Sequence, residues 1–139
     1  MASTAGGAFG FASGLIIQEF GYDDDVDETL RQAVEAETGT TLVDEDYEDV
    51  ADSAIVWWRD EDGDVDDLTD LLVDAQANLD GAGLIWVLTP KTGRDGYVEP
   101  ADIAEAASTS NLAQTSNVSI SEAWMGTRLG YRKAAKSKR

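Results

Sequence analysis

The sequence predicts an α/β domain of Rossmann-like type, a three-layer sandwich with a mostly parallel sheet and a C-terminal antiparallel hairpin. Three observations carry that expectation. Residues 54–58 (Ala-Ile-Val-Trp-Trp) and 84–88 (Leu-Ile-Trp-Val-Leu) are apolar without alternation, as suits strands covered on both faces. Between them Val65, Leu68, Leu72, Ala75 and Leu79 recur three and four residues apart, the spacing of an amphipathic helix. Near the end, Val118 and Ile120, then Met125, Thr127, Leu129 and Tyr131, alternate with their neighbours, as strands with two unlike faces do.

Residues 1–8 are small and glycine-rich and read as a flexible leader that joins the fold near Phe9 or Phe11. Leu15, Ile16 and Ile17 begin a first strand leading to Gly21. Asp23, Asp24 and Asp25 are N-cap candidates for a helix with Val26, Leu30, Ala33 and Val34 inward, stopped at Gly39. Residues 41–43 read as a short second strand and residues 54–58 as a third. The helix that follows takes its cap from Asp62 or Asp64 and ends at Gly81, where the buried strand at 84–88 takes over. Pro100 suits the first turn of a last helix, with Ile103, Ala104 and Ala107 inward, ending near Asn111. Residues 121–123 turn the closing hairpin, and residues 132–139 read as a disordered basic tail. Strands alternating with helices imply a sheet with right-handed crossovers, here over residues 9–131 as one domain.

Composition narrows the chemistry. The 139 residues include no cysteine and no histidine, which excludes disulfides, thiolate or imidazole metal sites, and Cys- or His-based catalysis within this chain. No apolar run approaches the roughly 20 residues that span a bilayer, so a soluble cytoplasmic protein without membrane contact is expected. The net charge is −18, and its distribution is uneven: 23 of 28 carboxylates lie between Glu19 and Asp80, while five of ten cations fall in the last eight residues. Such a body repels nucleic acid and anionic lipid, and favours a basic protein surface as partner. Nucleic acid could engage only the tail, and weakly. Solubility alone also explains acid of this kind.

Candidate sites cluster at the carboxyl ends of the strands, where open α/β sheets bind ligands. The loop Thr89-Pro90-Lys91-Thr92-Gly93-Arg94 holds two of the five cations outside the tail, and with Thr89 and Thr92 could hold a phosphate or carboxylate. Its bland alternative is a turn whose cations neutralise an acidic rim. Residues 60–67 have the alternating aspartates of a calcium loop, but Val65 stands where that loop needs Gly and Leu71 where it needs Glu, so capping and a solvated face are the better account and no metal site is expected. In the first strand-to-helix turn, Glu19 is a possible ligand-facing carboxylate and Gly21 is the only glycine. Asp23, Asp24 and Asp25 occupy the positive end of the helix, which disfavours a dinucleotide but leaves a cationic or zwitterionic ligand such as S-adenosylmethionine open. Tyr22 and Tyr97 are expected on the same rim, where each could stack on a ligand, with packing as the plainer role. Trp57 and Trp58, adjacent in a strand, point to opposite faces and read as core, as does Trp86; Trp124 could cover the hairpin edge or a partner surface.

Taken together, the acidic helix start, Val43-Asp-Glu-Asp46, Trp57-Trp-Arg-Asp-Glu-Asp-Gly63, the 85–94 segment ending in Thr-Pro-Lys-Thr-Gly-Arg, and Gly126-Thr-Arg-Leu129 resemble domain-of-unknown-function family 3052, an uncharacterised actinobacterial family, over residues 9–131. That resemblance implies no activity and no catalytic residues. More loosely, the Gly81-Ala-Gly-Leu-Ile-Trp86 segment resembles the entry to the fifth strand of class I methyltransferases, and the closing hairpin resembles theirs; the glycine-rich cofactor loop of that family is missing. The expected function is a non-catalytic binding or accessory protein, with Asp23, Asp24, Asp25 and Trp124 toward the partner. The alternative is a minimal S-adenosylmethionine- or nucleotide-binding enzyme with Glu19, Lys91 and Arg94 around one site.

Overall fold

The computed structural model describes residues 9–131; the expected leader (1–8) and basic tail (132–139) lie outside the described residues. The elements run β1 (Ile17–Phe20), α1 (Glu28–Thr38), β2 (Ala51–Trp57), α2 (Val65–Gln76), β3 (Leu79–Pro90), α3 (Pro100–Thr109), β4 (Leu112–Ser119) and β5 (Trp124–Tyr131). One sheet joins all five strands in the order β1-β2-β3-β5-β4. β1 pairs with β2, and β2 with β3, in parallel; β5 is antiparallel to both β3 and β4.

The sheet is therefore mixed, which corrects the expectation of a mostly parallel one. The closing hairpin does not simply add a strand at the edge. β5 slots between β3 and β4, so one reversed strand makes two of the four interfaces antiparallel. The hairpin itself forms where alternation placed it, with the Ile120 and Ser121 amides both donating to the Trp124 carbonyl.

Layering follows the sequence pattern. On one face α1 and the Phe9–Phe11 stack cover Ile17, Ile55, Trp57, Trp86 and Leu88. On the other, α2 and α3 cover Val56, Trp58, Ile85 and Val87 with Leu68, Leu72 and Ile103. Trp57 and Trp58 do face opposite ways, because successive strand residues alternate across the sheet. Both large indole-bearing strands are sealed: Trp57 and Trp86 are each 1% exposed.

Several boundaries moved for identifiable reasons. Asp27, not Asp23 to Asp25, caps α1, its Oδ1 accepting from the Leu30 amide at 3.1 Å. Asp64 caps α2 in a reciprocal box with Asp67, which accounts for the acidic run without a cation. That helix stops at Gln76 rather than Gly81. Ala51 pairs with Leu79 and donates to the Asn78 carbonyl at 2.8 Å, so the sheet claims a residue that helical spacing had placed in α2. The expected strand at 41–43 shrinks to a single parallel bridge between Gln18 and Val43. Buried Gln18 donates to the carbonyls of Asp44 and Tyr47, and Asn78 to that of Tyr47, which turns the segment across the edge of β1.

Candidate functional site

The chain leaves β1 on one side toward Val43 and on the other toward β2, so β1 is the point at which strand order reverses. Ligands of open α/β sheets bind outside the carboxyl ends of strands at such a point. Glu19, Gly21 and Arg59 meet there.

Glu19, 5% exposed, is fully committed. Arg31 grips it through Nε at 2.7 Å and NH2 at 2.8 Å, and the indole Nε1 of Trp57 donates to it at 2.8 Å. Arg31 also reaches Glu28 at 2.9 Å and lies 4.6 Å from the centroid of the Tyr22 ring. The Glu19 hydrogen bonds push the Arg31 guanidinium above its ordinary pKa despite partial burial. Tyr22 donates its hydroxyl to Glu28, which raises the phenol's pKa in turn.

Gly21 has φ +78, and a Cβ built on it would stand 2.2 Å from the Trp57 carbonyl oxygen. Only glycine serves here. Its amide donates to the Glu45 carboxylate at 2.8 Å and its carbonyl accepts from Arg59 NH1 at 2.7 Å.

Arg59 closes the crevice between β1 and β2. It is 4% exposed and hydrogen-bonds the carbonyls of Gly21 and Trp57, both carboxylate oxygens of Asp25, and Asp62. Its guanidinium carbon lies 5.6 Å from the centroid of Trp124, which packs edge-on against Trp57 at 4.8 Å. Burial works against the charge, yet the bonds to Asp25 and Asp62 outweigh it and raise the Arg59 pKa. The same pair holds the Asp25 carboxyl below the usual carboxylate range.

The sequence-predicted residues divide among three places. Glu19 and Tyr22 line a groove of about 480 Å³ on the outer side of β1, with Asp44, Glu45 and Asp46. Arg94 lies in a cleft of about 450 Å³ with Asp25, Glu61, Asp95 and Trp124. Lys91, Thr92 and Thr89 line a third cavity, beside Tyr97 and Ile103. Glu19, Lys91 and Arg94 thus line three different cavities, because β2 stands between β1, which carries Glu19, and β3, which leads into the loop of Lys91 and Arg94. Lys91 and Arg94 form no ion pair among the described residues, although Arg94 shares its cleft with three carboxylates. Trp124, expected to face a partner, is 4% exposed and packs on Trp57. Asp23 and Asp24 are exposed, while Asp25 is held by Arg59.

Arg59 and Arg31 were the residues that sequence reasoning passed over. A signal existed: Arg59 is the only cation between Arg31 and Lys91, directly after a buried strand. An isolated arginine among so many carboxylates, at a strand's carboxyl end, marks an ion pair rather than a solvated charge.

The family described as "Protein of unknown function (DUF3052)" matches residues 6–133. The chain belongs to that family. Every residue closing the β1–β2 crevice falls inside the matched stretch of this DUF3052 chain. Uncharacterised proteins of Mycobacterium bovis and Mycobacterium tuberculosis are each 48% identical over 124 residues, 89% of this chain and 76% of theirs. Among solved structures, the magnesium protoporphyrin IX methyltransferase of Synechocystis, with bound SAM, aligns with TM-score 0.57 at 11% identity over 91% of this chain and 74% of its own. The CcbJ methyltransferase of Streptomyces caelestis gives 0.60 at 11%, over 93% and 88%. Identities this low show a shared methyltransferase-like fold and no more. Among the described residues, no cluster of three or more acidic side chains is placed to hold a metal ion, and no helix is long and apolar enough to cross a membrane.

Proposed function

We propose that this DUF3052 domain uses a methyltransferase-like fold for binding rather than for methyl transfer, with exposed acid around Asp23 and Asp24 engaging a basic protein surface. Arg59 is the observation that carries this reading. Its guanidinium occupies the crevice between β1 and β2, and the surrounding polar groups are already used: the Gly21 amide by Glu45, the Gly21 and Trp57 carbonyls by Arg59, and Glu19 by Arg31 and Trp57. S-adenosylmethionine, the group that the fold suggests, does not fit there, since an incoming cofactor would have to displace hydrogen-bonded charge from a buried position. With 28 carboxylates against five cations outside the last eight residues, the domain attracts basic surfaces at long range.

Calorimetric titration with S-adenosylmethionine and with a ten-residue Lys/Arg peptide tests this reading. The expected result is no heat from the cofactor and a saturable, salt-dependent heat from the peptide. Asp23→Asn with Asp24→Asn should weaken the peptide, and Asp66→Asn with Asp70→Asn on α2 should not. Saturable cofactor binding, or equal effects of the two double variants, would overturn it.

Of the second reading, a minimal S-adenosylmethionine- or nucleotide-binding enzyme, the open 480 Å³ groove outside β1 favours the S-adenosylmethionine half, since its acid suits a cationic ligand and repels a nucleotide's phosphates. Cofactor binding that Asp44→Asn or Asp46→Asn weakens would support it.

A further inference from the structure

The cavity at the carboxyl end of β3 differs from the rest of the surface. Four other clefts among the described residues each carry three or four carboxylates. This one, about 490 Å³, is lined by no carboxylate at all in a chain with 28 of them, and it includes Lys91. Its volume falls within the range of small-molecule sites, about 300–1,000 Å³.

Its walls continue the α2/α3 side of the core. Along β3 the inward residues run Ile85, Val87, Thr89, and along β5 Leu129, Thr127, Met125, in register across the two strands. The apolar layer thus ends in two hydroxyls. Thr127 accepts from the Asn117 side chain at 3.2 Å and is satisfied. Thr89 is 4% exposed, lines the cavity, and makes no side-chain hydrogen bond among the described residues. Its hydroxyl is open to the cavity rather than sealed in the core, so it is free to donate to a ligand there.

The remaining polarity points to an anion. Lys91 enters no ion pair among the described residues although acid is abundant elsewhere. Pro100 and Ile103, from the first turn of ten-residue α3, form one wall, and the N-cap Glu99 gives that turn no side-chain hydrogen bond. That turn carries Asp102, and the Asp102 and Ile103 amides donate to the Glu99 carbonyl, so the positive charge at the cavity comes from Lys91. Val98, Met125 and the two prolines, Pro90 and Pro100, supply the apolar surface.

We propose that this cavity binds a small carboxylate with an apolar body, an aromatic or branched aliphatic acid, its carboxylate held by Lys91 and the Thr89 hydroxyl and its body against Ile103 and Met125. The inference goes beyond the protein-binding role and does not depend on it. Long-range repulsion of an anion by the acidic body is damped at physiological salt, where charges are screened over about 8 Å.

Titration of the isotope-labelled full chain by NMR in 0.15 M salt, with phenylacetate, its neutral isostere phenylacetamide and the cation phenethylamine, tests the proposal. Phenylacetate should shift the Thr89, Lys91 and Thr127 amides saturably and bind at least tenfold more tightly than either control. Lys91→Met should weaken phenylacetate about tenfold and leave phenylacetamide unchanged, whereas Met125→Trp should block both without lowering Tm. Equal affinity for the acid and the amide, shifts confined to other regions, no saturable shift with phenylacetate, benzoate or 4-methylpentanoate, or indifference to Lys91→Met would each overturn it.

Discussion

Replacing Arg59 with methionine keeps most of the aliphatic stem and removes the guanidinium alone. Two backbone carbonyls, those of Gly21 and Trp57, then lose their side-chain donor beneath a side chain that is 4% exposed. Leaving buried acceptors unpaired costs about 1–3 kcal/mol each. The ion-pair half of the interaction contributes less, because the Asp25 and Asp62 side chains are 53% and 35% exposed and rehydrate when released. Relief of the desolvation that Arg59 itself suffers offsets part of the loss, so the net destabilisation should be about 2–4 kcal/mol. For a domain of this size that lowers Tm by roughly 6–14 °C. Urea unfolding followed by tryptophan emission reads the same change, and Trp124 reports locally because the guanidinium lies over its ring, with Trp57 edge-on against it. Arg59→Lys should recover less than half of the loss, since one ammonium cannot serve the carbonyls and grip Asp25 bidentately at once. A methionine variant within about 0.5 kcal/mol of the parent, outside which even surface changes rarely fall, would refute the claim that Arg59 closes the crevice.

Two further substitutions probe the same corner. Gly21→Ala meets both a left-handed backbone and the Trp57 carbonyl, so it should cost at least about 3 kcal/mol in urea unfolding. Gly39→Ala, at φ +76 with open space around it, should cost only about 1. Asp25→Asn reports through pH. Its carboxyl is held low by the Arg59 hydrogen bonds, so its stabilising contribution is complete above the ordinary carboxylate pKa of about 4 and is lost as pH falls below that. The asparagine variant should therefore be less stable than the parent at pH 7 and converge on it toward pH 2; a gap that persists in strong acid would assign the effect to packing instead.

The sequence by itself determined what depends on near neighbours in the chain. Continuous apolar runs named β2 and the inner half of β3, helical spacing with a cap at Asp62 or Asp64 named α2, alternation named the hairpin, and adjacency alone placed Trp57 and Trp58 on opposite faces. The first turn and the 89–94 loop were legible as candidate sites because both follow apolar strands. Tertiary structure decided everything that needed a partner far along the chain. Leu79 left its helix because Ala51, 28 residues earlier, offered a strand register. β5 entered between β3 and β4, making the sheet mixed, because pairing energy is set by the neighbours available in space and local alternation cannot rank them. Positive charge at the sheet's carboxyl edge had one expected source, the loop cations Lys91 and Arg94 beside an acidic rim. Arg59, 34 residues along the chain from Asp25, pairs with that carboxylate instead, because it emerges from the strand next to Gly21 and so reaches the carboxylate and the strand carbonyls together. Lys91 was thereby left uncommitted, beside the one cavity on this acidic domain that carries no carboxylate of its own among those described.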